Sequence, residues 1–124
     1  MKRIKNSSLS GFEVEILSRI AKNLQSDILV DQINASETEH FISAYYHIVR
    51  FSVDQVEILD LAKKSPVELI IYPPDKTPVV VWLHIKDGYI KELEIFNADS
   101  TRIEYDILEA PYKMLPSDVA GNTE

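Results

Sequence analysis

Two hydrophobic periods divide this chain. Phe12, Ile16, Ile20 and Leu24 recur every four residues, with Leu17 beside them. That spacing predicts an amphipathic helix with one apolar stripe. Ser10 and Glu13 stand just ahead of it as an S-x-x-E capping box. Ser26 is placed to cap a second short helix to about Asn34, with Leu29, Val30 and Ile33 inward. Asp27 falls in its first turn, where the helix dipole favours an acid. The gap between the two is so small that one bent helix is the alternative.

From about Glu37 the period drops to two. Glu37 to Ile42 reads as an edge strand. In the next strand Tyr45, His47, Val49, Phe51 and Val53 share one face; Tyr46, Ile48, Arg50 and Ser52 share the other. Residues 54–64 fit either a short helix capped by Asp54, with Val56, Leu59 and Ala62 inward, or a continued strand. Val67 to Tyr72 is a strand stopped by Pro73 and Pro74. Val79 to Ile85 and Tyr89 to Phe96 form a hairpin about Asp87-Gly88, because Gly tolerates φ > 0 without a steric penalty. Ile90, Glu92, Glu94 and Phe96 would share one face of its second strand. Both faces of that strand mix polar and apolar residues, which predicts a bulge near Leu93. Ile103 to Leu108 reads as a short strand or extended arm.

Helices followed by antiparallel strands predict an α+β fold, with a helix or helix pair on one face of a sheet of about four to five strands. The expected limits are a frayed start over residues 1–9, one domain over 10–112, and an irregular tail over 113–124.

Charge narrows the choice of partner. The 124 residues carry 13 basic and 20 acidic side chains, a net charge of −7. Lys2, Arg3 and Lys5 fall in the first five positions, so 10 basic residues face 20 acidic ones in the remainder. Such a body repels phosphate backbones and attracts basic surfaces, so nucleic acid is not an expected partner. Cysteine is absent, which removes disulfides, thiolate metal ligands and thiol nucleophiles. The basic first residues lead into no apolar signal core, and no apolar run nears the roughly 18–20 residues that span a bilayer. A cytoplasmic location with no membrane partner is the expectation.

The acids concentrate late in the chain. Asp87, Glu92, Glu94, Asp99, Glu104, Asp106 and Glu109 stand against Lys91 and Arg102. Glu92 and Glu94 point the same way on a regular strand. Two such carboxylates can hold a metal, do acid–base work, present charge to a basic partner, or simply solvate a sheet face. Tyr89, Tyr105 and Tyr112 lie in or beside the band, and tyrosines are frequent interface anchors. His40, His47 and His84 show no i, i+4 pair, and H-E-x-x-H is absent. His47 and His84 fall in strands that would let them sit side by side, although such histidines are more often hydrogen-bonded and partly buried. A G-x-S-x-G elbow and a Gly-rich phosphate loop are both missing. No cofactor is expected.

The stretch VVVWLHIKDGYIKELEIFNADSTRI resembles a family of small uncharacterised bacterial domains that share an "LH..DG...ELE" hairpin. LVDQINAS and YYHIVRFSV fall where that family has a helix ending in a Gln-containing turn and a strand. The family supplies no active site to transfer. Its size and acidity are also similar to immunity proteins of bacterial polymorphic toxin systems. That likeness implies a non-enzymatic inhibitor that covers the active surface of a basic toxin domain.

On this reading Glu92, Glu94, Asp99, Glu104 and Tyr105 contact a basic protein partner, and the domain is a monomer or homodimer. One alternative is a ligand-binding or enzymatic domain built on His47, His84 and the Glu92/Glu94 pair. Another is a structural subunit that pairs through its sheet.

Overall fold

The computed structural model describes residues 2–5, 9–53, 57–59, 67–104 and 112–115. Strand β1 (Lys2–Lys5) precedes helices α1 (Gly11–Leu24) and α2 (Asp27–Ala35). After them come β2 (Glu37–Ile42), β3 (Tyr46–Ser52), β4 (Val67–Ile71), β5 (Val79–Lys86), β6 (Tyr89–Asn97) and β7 (Tyr112–Leu115). The strands form one sheet in the order β1-β2-β3-β6-β5-β4-β7, with every neighbouring pair antiparallel. The α+β arrangement expected from the periodicity is present.

The sheet is wider than expected because both edges come from segments without apolar alternation. Lys2–Lys5, read as a frayed start, pairs with β2, and Tyr112–Leu115, where the irregular tail was to begin, pairs with β4. An edge strand is held by one neighbour's backbone and needs no periodic apolar signal. Residues 57–59 are neither helix nor strand, and the rest of the ambiguous 54–64 segment lies outside the described residues.

Local chemistry sets the helix ends. Ser10 Oγ accepts from the Glu13 backbone N–H at 3.2 Å, and Glu13 Oε1 accepts from the Ser10 N–H at 2.8 Å. Gln25 turns left-handed at φ 54 and ends α1, so the helices are two rather than one bent rod. Ser26 caps α2 through a bond from the Leu29 N–H at 3.1 Å.

One core lies between the helix pair and the sheet. Ile16, Leu17, Ile20 and Leu29 meet Val49, Leu69, Ile71, Val81, Leu83, Leu93 and Ile95, all essentially fully buried. Val30, expected inward, is 41% exposed, since α2 is short and turns only Leu29 and Gln32 fully into the core.

The hairpin turn is fixed from both sides. Asp87 and Gly88 have φ 56 and 86, so both central residues are left-handed, as a type I′ turn requires. A Cβ on Gly88 would lie 2.7 Å from the Ile58 Cβ, so this residue has neither conformational nor steric room for a side chain. Behind the turn sits Gln32, wholly buried. Its amide donates to the Glu57 and Gly88 carbonyls at 3.0 and 2.9 Å, and its oxygen accepts from the Ile90 N–H at 2.9 Å. One polar side chain thus ties α2 to the hairpin.

The bulge expected near Leu93 falls two residues earlier, at Lys91, and it changes which residues share a face. His84 pairs with Glu92 and Ile85 with Ile90, leaving Lys91 as the extra residue. Ile90 therefore turns into the core with Leu93, while Glu92, Glu94 and Phe96 keep the opposite face.

Gln32→Leu keeps the volume but strands the buried Ile90 N–H, while the Gly88 carbonyl keeps the Leu59 N–H and Glu57 is exposed. It should cost about 2 kcal/mol in urea denaturation, since an unmet buried polar group costs roughly 1–3 kcal/mol.

Candidate functional site

Among the described residues, the helices cover one face of the sheet and leave the other open. Opposite the core, the cross-strand registers build three rows of side chains. Glu39, Arg50, Glu92 and His84 stand opposite one another in the first. Phe41, Ile48, Glu94, Trp82 and Glu68 form the second. Tyr46, Phe96, Val80 and Ile70 form the third. Among these, Trp82, Phe96, Val80, Ile48, Ile70 and Phe41 are only partly covered. No helix among the described residues packs on this side; the buried residues of α1 and α2 belong to the opposite face.

Polar groups on the open face are held by their neighbours. Arg50 Nε donates to Glu92 Oε1 at 3.1 Å, and the guanidinium lies 4.6 Å above the Phe41 ring. Trp82 Nε1 donates to Glu68 Oε2 at 2.7 Å. Its indole meets Phe96 edge-on with centroids 5.1 Å apart. His84 Nε2 lies 2.5 Å from Glu94 Oε1. The carboxylates are therefore fixed in place around a central aromatic pair, before any partner arrives.

The expected acidic patch divides in two. Glu92 and Glu94 share the open face, as their spacing required. Asp99 and Glu104 lie beyond the end of β6, beside a recess lined in part by Tyr45, Lys76 and Arg102. Asp99 accepts from the Thr101 hydroxyl at 2.5 Å and from its N–H at 3.1 Å, bonds that hold its carboxyl below the usual range. Glu104 pairs with Lys76. Tyr105 lies outside the described residues.

His47 and His84 do not meet. They fall on opposite faces of the sheet, so no common site joins them. His47 instead joins a buried cluster that sequence spacing did not reveal. Nε2 of His40 lies 2.8 Å from Glu13 Oε1, and Nε2 of His47 is hydrogen-bonded to Glu13 Oε2. Glu13 is fully buried, and both histidines are at most 5% exposed.

Burial alone would push the Glu13 carboxyl up. The hydrogen bonds from His47, His40 and the Ser10 N–H outweigh it and bring the pKa from 4.5 down to about 2. An ionised carboxylate only accepts, so both Nε2 atoms carry the proton. The signal for this cluster was partial: Glu13 was legible as a capping residue, and His47 lay on the apolar side of β3. Nothing local joined residues 27 and 34 positions apart.

Comparison of the chain with protein-family models, curated proteins and solved structures returns no match. Function is therefore read from this geometry.

The Glu13 cluster carries a pH signature. A carboxyl lowered on folding contributes stability that is fully present above about 4.5 and is lost as the pH falls toward about 2. The shift corresponds to roughly 3 kcal/mol at neutral pH. The stability gap between the wild-type chain and Glu13→Gln, measured by urea denaturation, should shrink steadily across that window.

Proposed function

We propose that this chain is a non-enzymatic protein-binding domain that engages a basic partner through its open sheet face. The observation that carries this reading is the Trp82–Phe96 pair, partly exposed at the centre of that face and ringed by Glu68, Glu92 and Glu94. Indole and phenyl rings supply large anchoring area at small entropic cost, and they gain most when polar groups around them exclude water. The fixed carboxylates select Lys- or Arg-rich surfaces and speed encounter with them.

A toxin domain that handles nucleic acid presents such a basic surface. An immunity protein that covers it would act by occlusion, with no chemistry of its own. The net charge of −7 supports this direction of attraction. Asp99 and Glu104 are less suited to a leading role, because they lie beyond the end of β6, beside a separate recess.

The test is capture of a partner from the native host at low and high salt, followed by titration of the purified pair. A basic partner should be held at low salt and weakened at high salt. Trp82→Ala should reduce affinity by about 2 kcal/mol, the size of an interface hot spot. Charge reversal at both Glu92 and Glu94 should reduce it at least about tenfold. Affinity unchanged by all three substitutions would remove the open face from the interface.

A further inference from the structure

We propose that His84, Glu92 and Glu94 form a divalent transition-metal site on the open face, suited best to Zn²⁺. One nitrogen or oxygen from each of the three lies within 4.8 Å of those of the other two. They come from β5 and β6, two paired strands in the middle of the sheet, so the backbone that carries them is rigid. The Lys91 bulge adjoins the His84–Glu92 pair and fixes the facing of Glu92.

The donor set chooses the ion. One imidazole and two carboxylates suit a borderline cation such as Zn²⁺ better than Ca²⁺ or Mg²⁺, which prefer oxygen alone. Zinc takes four ligands in a tetrahedron. Three come from the chain, and the fourth position faces outward, since the three side chains are each between 24% and 34% exposed. His84 Nε2 and Glu94 Oε1 are now 2.5 Å apart. Seating an ion between them needs a widening of about 1 Å, within reach of small χ rotations.

The buried Glu13–His40–His47 cluster has the same donor types but does not suit a cation. Its carboxylate oxygens are taken up by two imidazoles and the Ser10 N–H. It also sits at the first turn of α1, where the helix dipole opposes positive charge. His84 is thus the one histidine of three that offers an accessible ring.

Arg50 gives the proposal a signature of its own. Its guanidinium holds Glu92 Oε1 and competes with the ion for that carboxylate. Removing it should tighten binding, whereas removing a ligand weakens it.

The proposal concerns the isolated chain and does not rest on the protein-binding reading. Zn²⁺ alone is titrated into tag-free protein by calorimetry at neutral pH. One ion should bind with a Kd in the micromolar range or tighter. His84→Ala and Glu94→Gln should each weaken it at least about tenfold, and Arg50→Gln should tighten it several-fold. In nitrogen-detected NMR the His84 ring should shift with Zn²⁺ while His40 and His47 stay in place. No saturable binding up to about 100 µM Zn²⁺ would overturn the site. So would binding that His84→Ala and Glu94→Gln leave intact.

Discussion

The Glu13 carboxylate is the interaction on which the layers of this fold depend. It closes the capping box of α1, and it receives an imidazole from each of β2 and β3. A helix end, two strands and the packing between them therefore share one buried charge. Replacing the carboxylate by an apolar group would take this acceptor from two imidazoles and a backbone N–H, so the helix could not simply be repacked by apolar substitution. Gln32 does the same at the far end of the helix layer with a neutral group, joining α2 to the hairpin. Two polar side chains orient the helix pair, and the apolar core fills the space they define.

With one face closed in this way, the sheet can leave the other open. The Lys91 bulge makes the division clean. It turns Ile90 inward and leaves Glu92 and Glu94 facing out beside His84 and Trp82. The open face is neither a solvated surface nor an exposed core. Its charged groups are paired within the face, and its aromatic groups pack on one another. This preorganisation lowers the ordering cost that a partner or an ion would otherwise meet.

What was legible in the sequence was what local spacing determines. Ser10, Glu13 and Ser26 marked the helix starts because a cap acts over three residues. Asp87-Gly88 marked the hairpin because the turn selects its own residues. Alternation sorted His47, Val49 and Phe51 from Ile48 and Arg50. The rest required the third dimension. The partners of Glu13 lie far along the chain, and nothing in a lone histidine says which carboxylate it will meet. His47 and His84 looked like possible neighbours because each strand was legible but the facing of one against the other was not. Alternation alone puts Ile90 with Glu92 and Glu94, but one extra residue inverts a period of two. The edges carry little local signal because backbone pairing with one neighbour places them in the sheet.

The strand order has a mechanical consequence. β1 and β7 occupy opposite edges of the sheet, six strand spacings or about 29 Å apart. Tension applied between them runs across the strands, parallel to the interstrand hydrogen bonds rather than along them. Bonds loaded this way part in succession, as in a zipper, instead of sharing the load as they do in shear. The domain would yield to a modest pull by peeling from its edges, while the Glu13 and Gln32 ties held the centre until last.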